Sequence, residues 1–226
     1  MEDIVYFAAG KTNEELRYSI RSLCKNFKPF RKLWIIGSKP DDIIPDGFIE
    51  MYPDGTKYSN VKTAIITALN DDRISDNFWL FNDDFFIMKK VKDFPPYYDG
   101  SLFELCGKII FNNNGFSDYV IKMFDEIRYL KENNLDVKNF EVHLPMLINK
   151  QNALQLTEIL PDGSKAFRST YGNMYYSDSA KQHRDVKNIR DYKYKDFLST
   201  SNSTFELCGI GKYIRSKFKD KCKYEQ

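Results

Sequence analysis

Residues 3–37 read DIVYFAAGKTNEELRYSIRSLCKNFKPFRKLWIIG. Asp3-Ile-Val-Tyr-Phe7 is a short apolar, β-branched and aromatic run that ends near Gly10, the pattern of a strand buried on both faces. Thr12-Asn-Glu-Glu15 has the form of a capping box, in which a hydroxyl and a carboxylate satisfy the first free amides of a helix. Leu16, Ile20, Leu23, Cys24 and Phe27 then recur at the spacing of one helical face, and Pro29 closes it. Leu33-Trp-Ile-Ile36 before Gly37 reads as a second buried strand. Strand, helix and strand in this order predict a right-handed βαβ unit and therefore a parallel sheet.

The same alternation extends outward. After the turn-rich stretch 38–59, Asn60 is suited to cap a helix carrying Val61, Ala64, Ile65, Ala68 and Leu69 on one face. Phe78-Trp-Leu-Phe81 supplies another core strand, which stops at Asn82-Asp83-Asp84 before the apolar run Phe85-Phe-Ile-Met88. Cys106, Ile109, Ile110 and Phe111 suggest more sheet, and Ser117 to about Asn133 a long helix with Val120, Met123, Phe124, Ile127 and Leu130 inward. His143-Leu-Pro145 is expected to open a short helix, because proline is tolerated in a first turn. Ser177–Lys195 is polar without periodicity and reads as a long loop, mobile until a ligand arrives. Ser203-Thr-Phe-Glu206 is a further capping box, starting a basic C-terminal helix. The expected fold is α/β, a mainly parallel central sheet with flanking helices in a single domain.

Composition narrows the function classes. The chain has 226 residues, 42% hydrophobic and 29% charged, which excludes collagen-like, mucin-like and largely disordered chains. A net charge of +2 marks no global field for nucleic acid or membrane, so only a local basic patch could serve such a partner. No apolar run approaches the roughly 18 residues of a membrane span, and the start MEDIVYF lacks a signal-peptide pattern, so a cytoplasmic protein is expected. Cys24, Cys106, Cys208 and Cys222 form no CxxC pair and the histidines number two, which argues against structural zinc. Nucleotide-binding P-loops, Rossmann glycine fingerprints, HExxH and GxSxG elbows are absent from the sequence.

The chemistry-bearing residues gather around the strand ends. Ligands of open α/β sheets sit beyond the carboxyl ends of strands, where Asn82-Asp83-Asp84 falls. Adjacent carboxylates repel unless something compensates them, and a hard divalent ion on nucleotide phosphates would do so; an acidic turn is the plainer alternative. Arg17 and Arg21, one helical turn apart, have the planar fork suited to phosphate, and also suit surface pairs with acids such as Glu14. His143 is a candidate general base, or else a half-buried histidine bonded to backbone. Arg168, in Phe167-Arg-Ser169, offers a further guanidinium for phosphate. The tail from Lys212 to Lys223 is basic and interleaved with Tyr213 and Phe218, a candidate contact for an anionic acceptor or a solvated helix face.

Taken together, Asn13-Glu-Glu-Leu-Arg-Tyr-Ser-Ile-Arg-Ser22, Pro29-Phe-Arg-Lys-Leu-Trp-Ile-Ile-Gly37 and Phe78-Trp-Leu-Phe-Asn-Asp-Asp-Phe-Phe86 resemble the second block of the Stealth family. Those proteins are sugar-phosphate transferases of bacterial capsule synthesis. The resemblance covers roughly residues 3–88 and implies a GT-A-like nucleotide-sugar fold; His143 and Phe167-Arg168-Ser169 are similar to a histidine and an arginine segment of later blocks. The family's aspartate after its first strand has no counterpart in Tyr6–Gly10, and Leu198–Asn202 stands where its last acidic pair is expected.

The expectation is a transferase moving a sugar or sugar-phosphate from a nucleotide-sugar donor to a glycan or other hydroxyl acceptor. Residues 1–90 would be the nucleotide-binding half and 91–226 the acceptor half. Arg17, Arg21, Asn82 and Asp83 would hold the donor, Asp83 and Asp84 a Mg²⁺ or Mn²⁺ ion, and His143, Arg168 and Arg17 would act in catalysis. A non-catalytic carbohydrate- or protein-binding module and a nucleic-acid-modifying glycosyltransferase are the alternatives.

Overall fold

The computed structural model describes residues 1–10, 12–52, 57–159 and 166–226. Strand β1 (Asp3–Ala8), helix α1 (Glu14–Asn26) and strand β2 (Leu33–Gly37) make the βαβ unit, with β1 and β2 parallel from Ile4 opposite Leu33 to Ala8 opposite Gly37. Strand β3 (Gly47–Glu50), helix α2 (Lys57–Asn70) and strand β4 (Asn77–Phe81) follow; β3 adds to β2 and β4 to β1, both in parallel. The chain then forms β5 (Phe85–Ile87) and β6 (Tyr97–Tyr98) outside the main sheet, and packs α3 (Leu102–Asn113) against α4 (Asp118–Glu132). It returns as β7 (Met146–Asn149), antiparallel to β4, and continues into α5 (Lys150–Ile159) and α6 (Phe167–Tyr175). Strand β8 (Lys181–Gln182) pairs with β6, β9 (Phe197–Ser199) with β5, and α7 (Asn202–Leu207) and α8 (Gly209–Lys217) close the fold.

The main sheet runs β3-β2-β1-β4-β7, a mostly parallel sheet covered on both faces. Because side chains alternate along a strand, Ile4, Tyr6 and Ala8 of β1 meet Leu16, Ile20 and Leu23 of α1, while Val5 meets Ala64, Ile65 and Ala68 of α2. Full burial of each larger aliphatic side chain contributes about 1.5–3 kcal/mol, so the two layers fix the sheet firmly. At its amino edge, fully buried Asp3 accepts hydrogen bonds from Arg31 Nε (2.8 Å), Trp34 Nε1 (3.0 Å) and the amides of Lys32 and Ser75. A buried carboxylate is tolerable when its lone pairs are used in this way.

Several local expectations are corrected. The cap of α1 is Asn13, whose side chain accepts from the Leu16 amide, not Thr12; asparagine is an equally good cap and sits one residue closer to the apolar face. Helix α2 begins at Lys57, so Asn60 lies inside it. Within the turn-rich stretch 38–59, residues 53–56 lie outside the described residues, and the rest contains β3, an edge strand too short to carry a pattern. Residues 106–111, expected as sheet, are helical in α3: Ser101 and Glu104 form a capping box, and Leu102 and Cys106 repeat at i, i+4 against α4. His143–Pro145 opens no helix but runs into β7, because the edge of β4 takes a fifth strand there. Helix α7 is capped by Ser201 with Thr204, two residues before the expected Ser203. The segment 177–195 is pinned, not loose: Asn188 N bonds Ser199 O (2.8 Å), Ser199 N bonds Val186 O (3.1 Å), and the Asp185 amide bonds Asp99 (3.1 Å).

Candidate active site

The chain passes from β1 to β2 and β3 on one side and to β4 on the other, so the strand order reverses between β1 and β4. Diverging connections leave a crevice at such a point. A cleft of about 870 Å³ opens there, at the carboxyl ends of the strands. Phe7, Ile36, Met51 and Ile65 make one apolar wall; Glu15, Asn82, Asp83, Asp84, His143 and Lys187 bring polar groups to it. Gly37 ends β2 on the cleft with a positive φ of 130°, and a Cβ there would lie 2.1 Å from Ala8 O. Only glycine lets β1 and β2 finish side by side in this way.

Three carboxylates gather where β4 stops. Asp83 accepts from Asn13 Nδ2 at 2.6 Å, so the residue that caps α1 also holds this carboxylate. Burial first, and then the neighbouring Asp84 charge, push the Asp83 carboxyl above its ordinary range. Asp84 is bridged by Lys187 Nζ at 2.8 Å and by Ser199 Oγ at 3.2 Å. Glu15 bonds Thr200 Oγ1, and burial raises its carboxyl to about 6, with Asp84 and Asp83 adding to the shift. Lys187 is paired with Asp84 of this group. Among the described residues no group of three or more His, Cys, Asp and Glu side chains is arranged to hold a metal ion.

His143 lies across the cleft. Its amide donates to Asp185 Oδ1 and its Nδ1 to Oδ2, each at 3.0 Å. Burial opposes ionisation of Asp185, but the His143 hydrogen bonds outweigh it and hold the carboxyl below its usual range. An ionised Asp185 requires Nδ1 to carry the proton, which leaves Nε2 to accept one. Arg168 braces this arrangement: Nη1 donates to Leu144 O (2.5 Å) and Val142 O (3.2 Å), on either side of His143, and Nη2 to Asn82 Oδ1 (3.0 Å). Glu141 accepts from the Ser169 amide at 2.9 Å, and burial raises its carboxyl to about 7 against that bond.

The structure therefore brings Asn82, Asp83, Asp84, His143 and Arg168 to one cleft. Arg17 and Arg21 stand apart from it. Arg17 pairs with Asp42 (3.0 Å) and Glu14 (3.3 Å); Arg21 clasps Glu225 at 2.7 and 2.6 Å and donates to Phe218 O. Both act in the frame that joins α1 to other segments. Asn82 accepts from Arg168 Nη2. Sequence reasoning missed Glu15, Glu141, Asp185 and Lys187. Glu15 was visible only as a capping-box member, and Asp185 and Lys187 belong to a stretch without periodicity.

No protein-family model matches the chain, and no curated protein sequence matches it. Among solved structures it is similar to the apo form of the glycosyltransferase GlyE of Streptococcus pneumoniae TIGR4, at 13% identity and a TM-score of 0.35, over 82% of this chain and 45% of that one. A second structure of the same glycosyltransferase aligns at 11% identity and a TM-score of 0.35, over 96% of this chain and 49% of that one. The chain spans about half the length of these neighbours.

Proposed function

We propose that this chain is a transferase that moves a sugar or sugar-phosphate from a nucleotide-sugar donor to the hydroxyl of a glycan or similar acceptor. The observation that carries the reading is one cleft, at the point where strand order reverses, lined by the Asp83-Asp84 turn on one side and on the other by His143, whose Nδ1 is held by Asp185. The apolar wall with Gly37 suits a nucleobase and ribose, which supports a donor on roughly the first 90 residues and an acceptor on the remainder.

His143 is suited to take the acceptor hydroxyl's proton at Nε2 while Asp185 stabilises the imidazolium that forms. Arg168 positions the base by holding the carbonyls of residues 142 and 144, and it ties them to Asn82 at the head of the acidic turn. Asp83 and Asp84 both line the cleft, and their carboxylate oxygens are the donors a hard cation takes. Asp83 and Asp84 would hold Mg²⁺ or Mn²⁺ together with donor phosphate oxygens, and the ion would neutralise charge on the leaving group. Lys187 shares Asp84 and supplies a second positive charge near those oxygens.

The test uses purified protein with UDP-, GDP-, CDP- and dTDP-sugars, with and without each metal. A melting shift with one donor, and metal-dependent nucleotide release lost in Asp84→Asn, are expected. A donor bound at a hundred times Kd adds about 2.7 kcal/mol of stability, which a melting curve resolves. No shift with any donor would remove the reading, and metal-independent glycan binding without release would replace it with a binding module. Product chromatography separates the two routes: nucleoside monophosphate marks attack at phosphorus, which the Stealth resemblance favours, and nucleoside diphosphate marks attack at the anomeric carbon.

A further inference from the structure

A second cavity, of about 650 Å³, lies at the other end of α1, between the Cys24–Phe30 stretch and the tail segment 218–223. Lys25, Lys28, Lys221 and Lys223 line it with Arg21 behind them, and Asp220 is the carboxylate in that lining. For a chain of net charge +2, this concentrates cations in one place. Arg21 is neutralised by Glu225, and Lys28 by Glu2 at 3.4 Å. Lys25 and Lys223 pair with no Asp or Glu side chain among the described residues, and Lys221 is held by an oxygen of Gln226. Lys25 Nζ reaches Lys217 O, Lys221 Nζ reaches Gln226 O, and Lys223 lies over the Tyr224 ring at 4.6 Å.

The tail backbone is held in place, so its lysines stay at the cavity rim. Ile44 N bonds Tyr224 O (2.7 Å), Tyr224 Oη bonds Asp46 (2.7 Å), and Glu225 is clasped by Arg21. The basic stretch noted in the sequence thus becomes one rim of a cavity, with the C-terminal end of α1 as the other. Its volume is far larger than one phosphate needs, and its ammoniums come from two separate segments.

We propose that this cavity binds an anionic glycan chain, whose acidic groups meet the lysines along its rim. The purpose rests on the transferase reading: the chain would be an extension of the acceptor, held roughly 15 Å along α1 from Glu15 to Lys25. Single-stranded nucleic acid is disfavoured because it takes aromatic faces on which bases stack. Here Phe27 is packed against Trp79, Phe81 and Phe94, Phe30 against Tyr224, and Phe218 is buried. Lysines are compact charges on flexible stems and suit acidic groups spaced along a chain.

The probes are a fluorescein-labelled galacturonate oligomer, a neutral glucan oligomer of the same length and an oligo-dT strand, each titrated by anisotropy at two salt concentrations. The galacturonate should bind, more weakly at high salt, and the glucan should not. K25E/K221E/K223E should weaken binding by at least about tenfold, while K108E/K122E/K131E, outside the cavity, should leave it within about twofold. The separate variants K25Q and K223Q, checked by melting, give the same reading if the triple variant unfolds. Absent galacturonate binding, or binding that the cavity variants leave intact, overturns the proposal. Tighter oligo-dT binding lost in the same variant would replace the glycan with nucleic acid. Donor melting shifts are recorded on the same proteins, so failure of the transferase reading appears there and not in the glycan titration.

Discussion

His143 meets Asp185 twice, through its amide and through Nδ1, both at 3.0 Å. The double contact fixes the ring's tautomer as well as its place, because an ionised carboxylate accepts only from a protonated Nδ1. Asp185→Asn can turn an amide N–H toward Nδ1 and reverse the tautomer. Turnover should fall by about 10²–10⁴-fold, with donor KM little changed. His143→Ala should fall within the same range. Near-normal kcat in both variants would take this pair out of the mechanism.

Gly37→Ala tests whether the cleft depends on the close approach of β1 and β2. The added Cβ would lie 2.1 Å from Ala8 O at a φ of 130°, a backbone clash that no side-chain rotation relieves. A loss of about 3 kcal/mol in urea unfolding is expected, together with weaker donor binding. Wild-type stability would mean that the strand ends separate freely.

The β1, α1 and β2 unit was legible because its signals are local: an apolar run, a cap and a helical stripe each complete themselves within a few residues. The Asn82-Asp83-Asp84 turn was legible for the same reason, since it interrupts a core strand. Helix α3 was misread because Cys106, Ile109, Ile110 and Phe111 suit either period, and the deciding Ser101–Glu104 box lies just upstream. The partners in the cleft could not be read at all. Asp185 is 42 residues from His143 and Lys187 is 103 from Asp84, and nothing local in a polar stretch announces a contact over such distances. The arginines show the converse error. Arg17 and Arg21 have chemistry that suits phosphate, but acids from distant segments occupy them first.

Glu141 gives a pH signature in stability. Its carboxyl is raised by burial to about 7 from an ordinary value near 4.5, so the folded protein holds a proton there that the unfolded chain has lost. The sign follows from linkage: this contribution is present on the acid side and disappears as pH rises from about 4.5 to about 7. Glu141→Gln keeps an oxygen for the Ser169 amide and cannot ionise. The melting temperature of the variant should therefore fall less than that of wild type across this window. Parallel curves would show that Glu141 ionises at its ordinary pKa.

Arg168→Lys separates bracing from simple charge. The guanidinium spans two elements at once, Val142 and Leu144 carbonyls through Nη1 and Asn82 through Nη2. A lysine keeps the positive charge but not the fork, so it cannot hold both sides in register. If Arg168 positions the base, Arg168→Lys should lose about 10²-fold in kcat, close to Arg168→Ala, because a small displacement of a catalytic group costs that much. The stability loss should be about 1–3 kcal/mol, from buried carbonyls left without a donor. The pH dependence of kcat should keep its shape, since His143 and Asp185 still face each other. If Arg168 instead served only as a cation beside donor phosphates, the lysine variant would retain most of the turnover that the alanine variant loses, and the bracing role would fall.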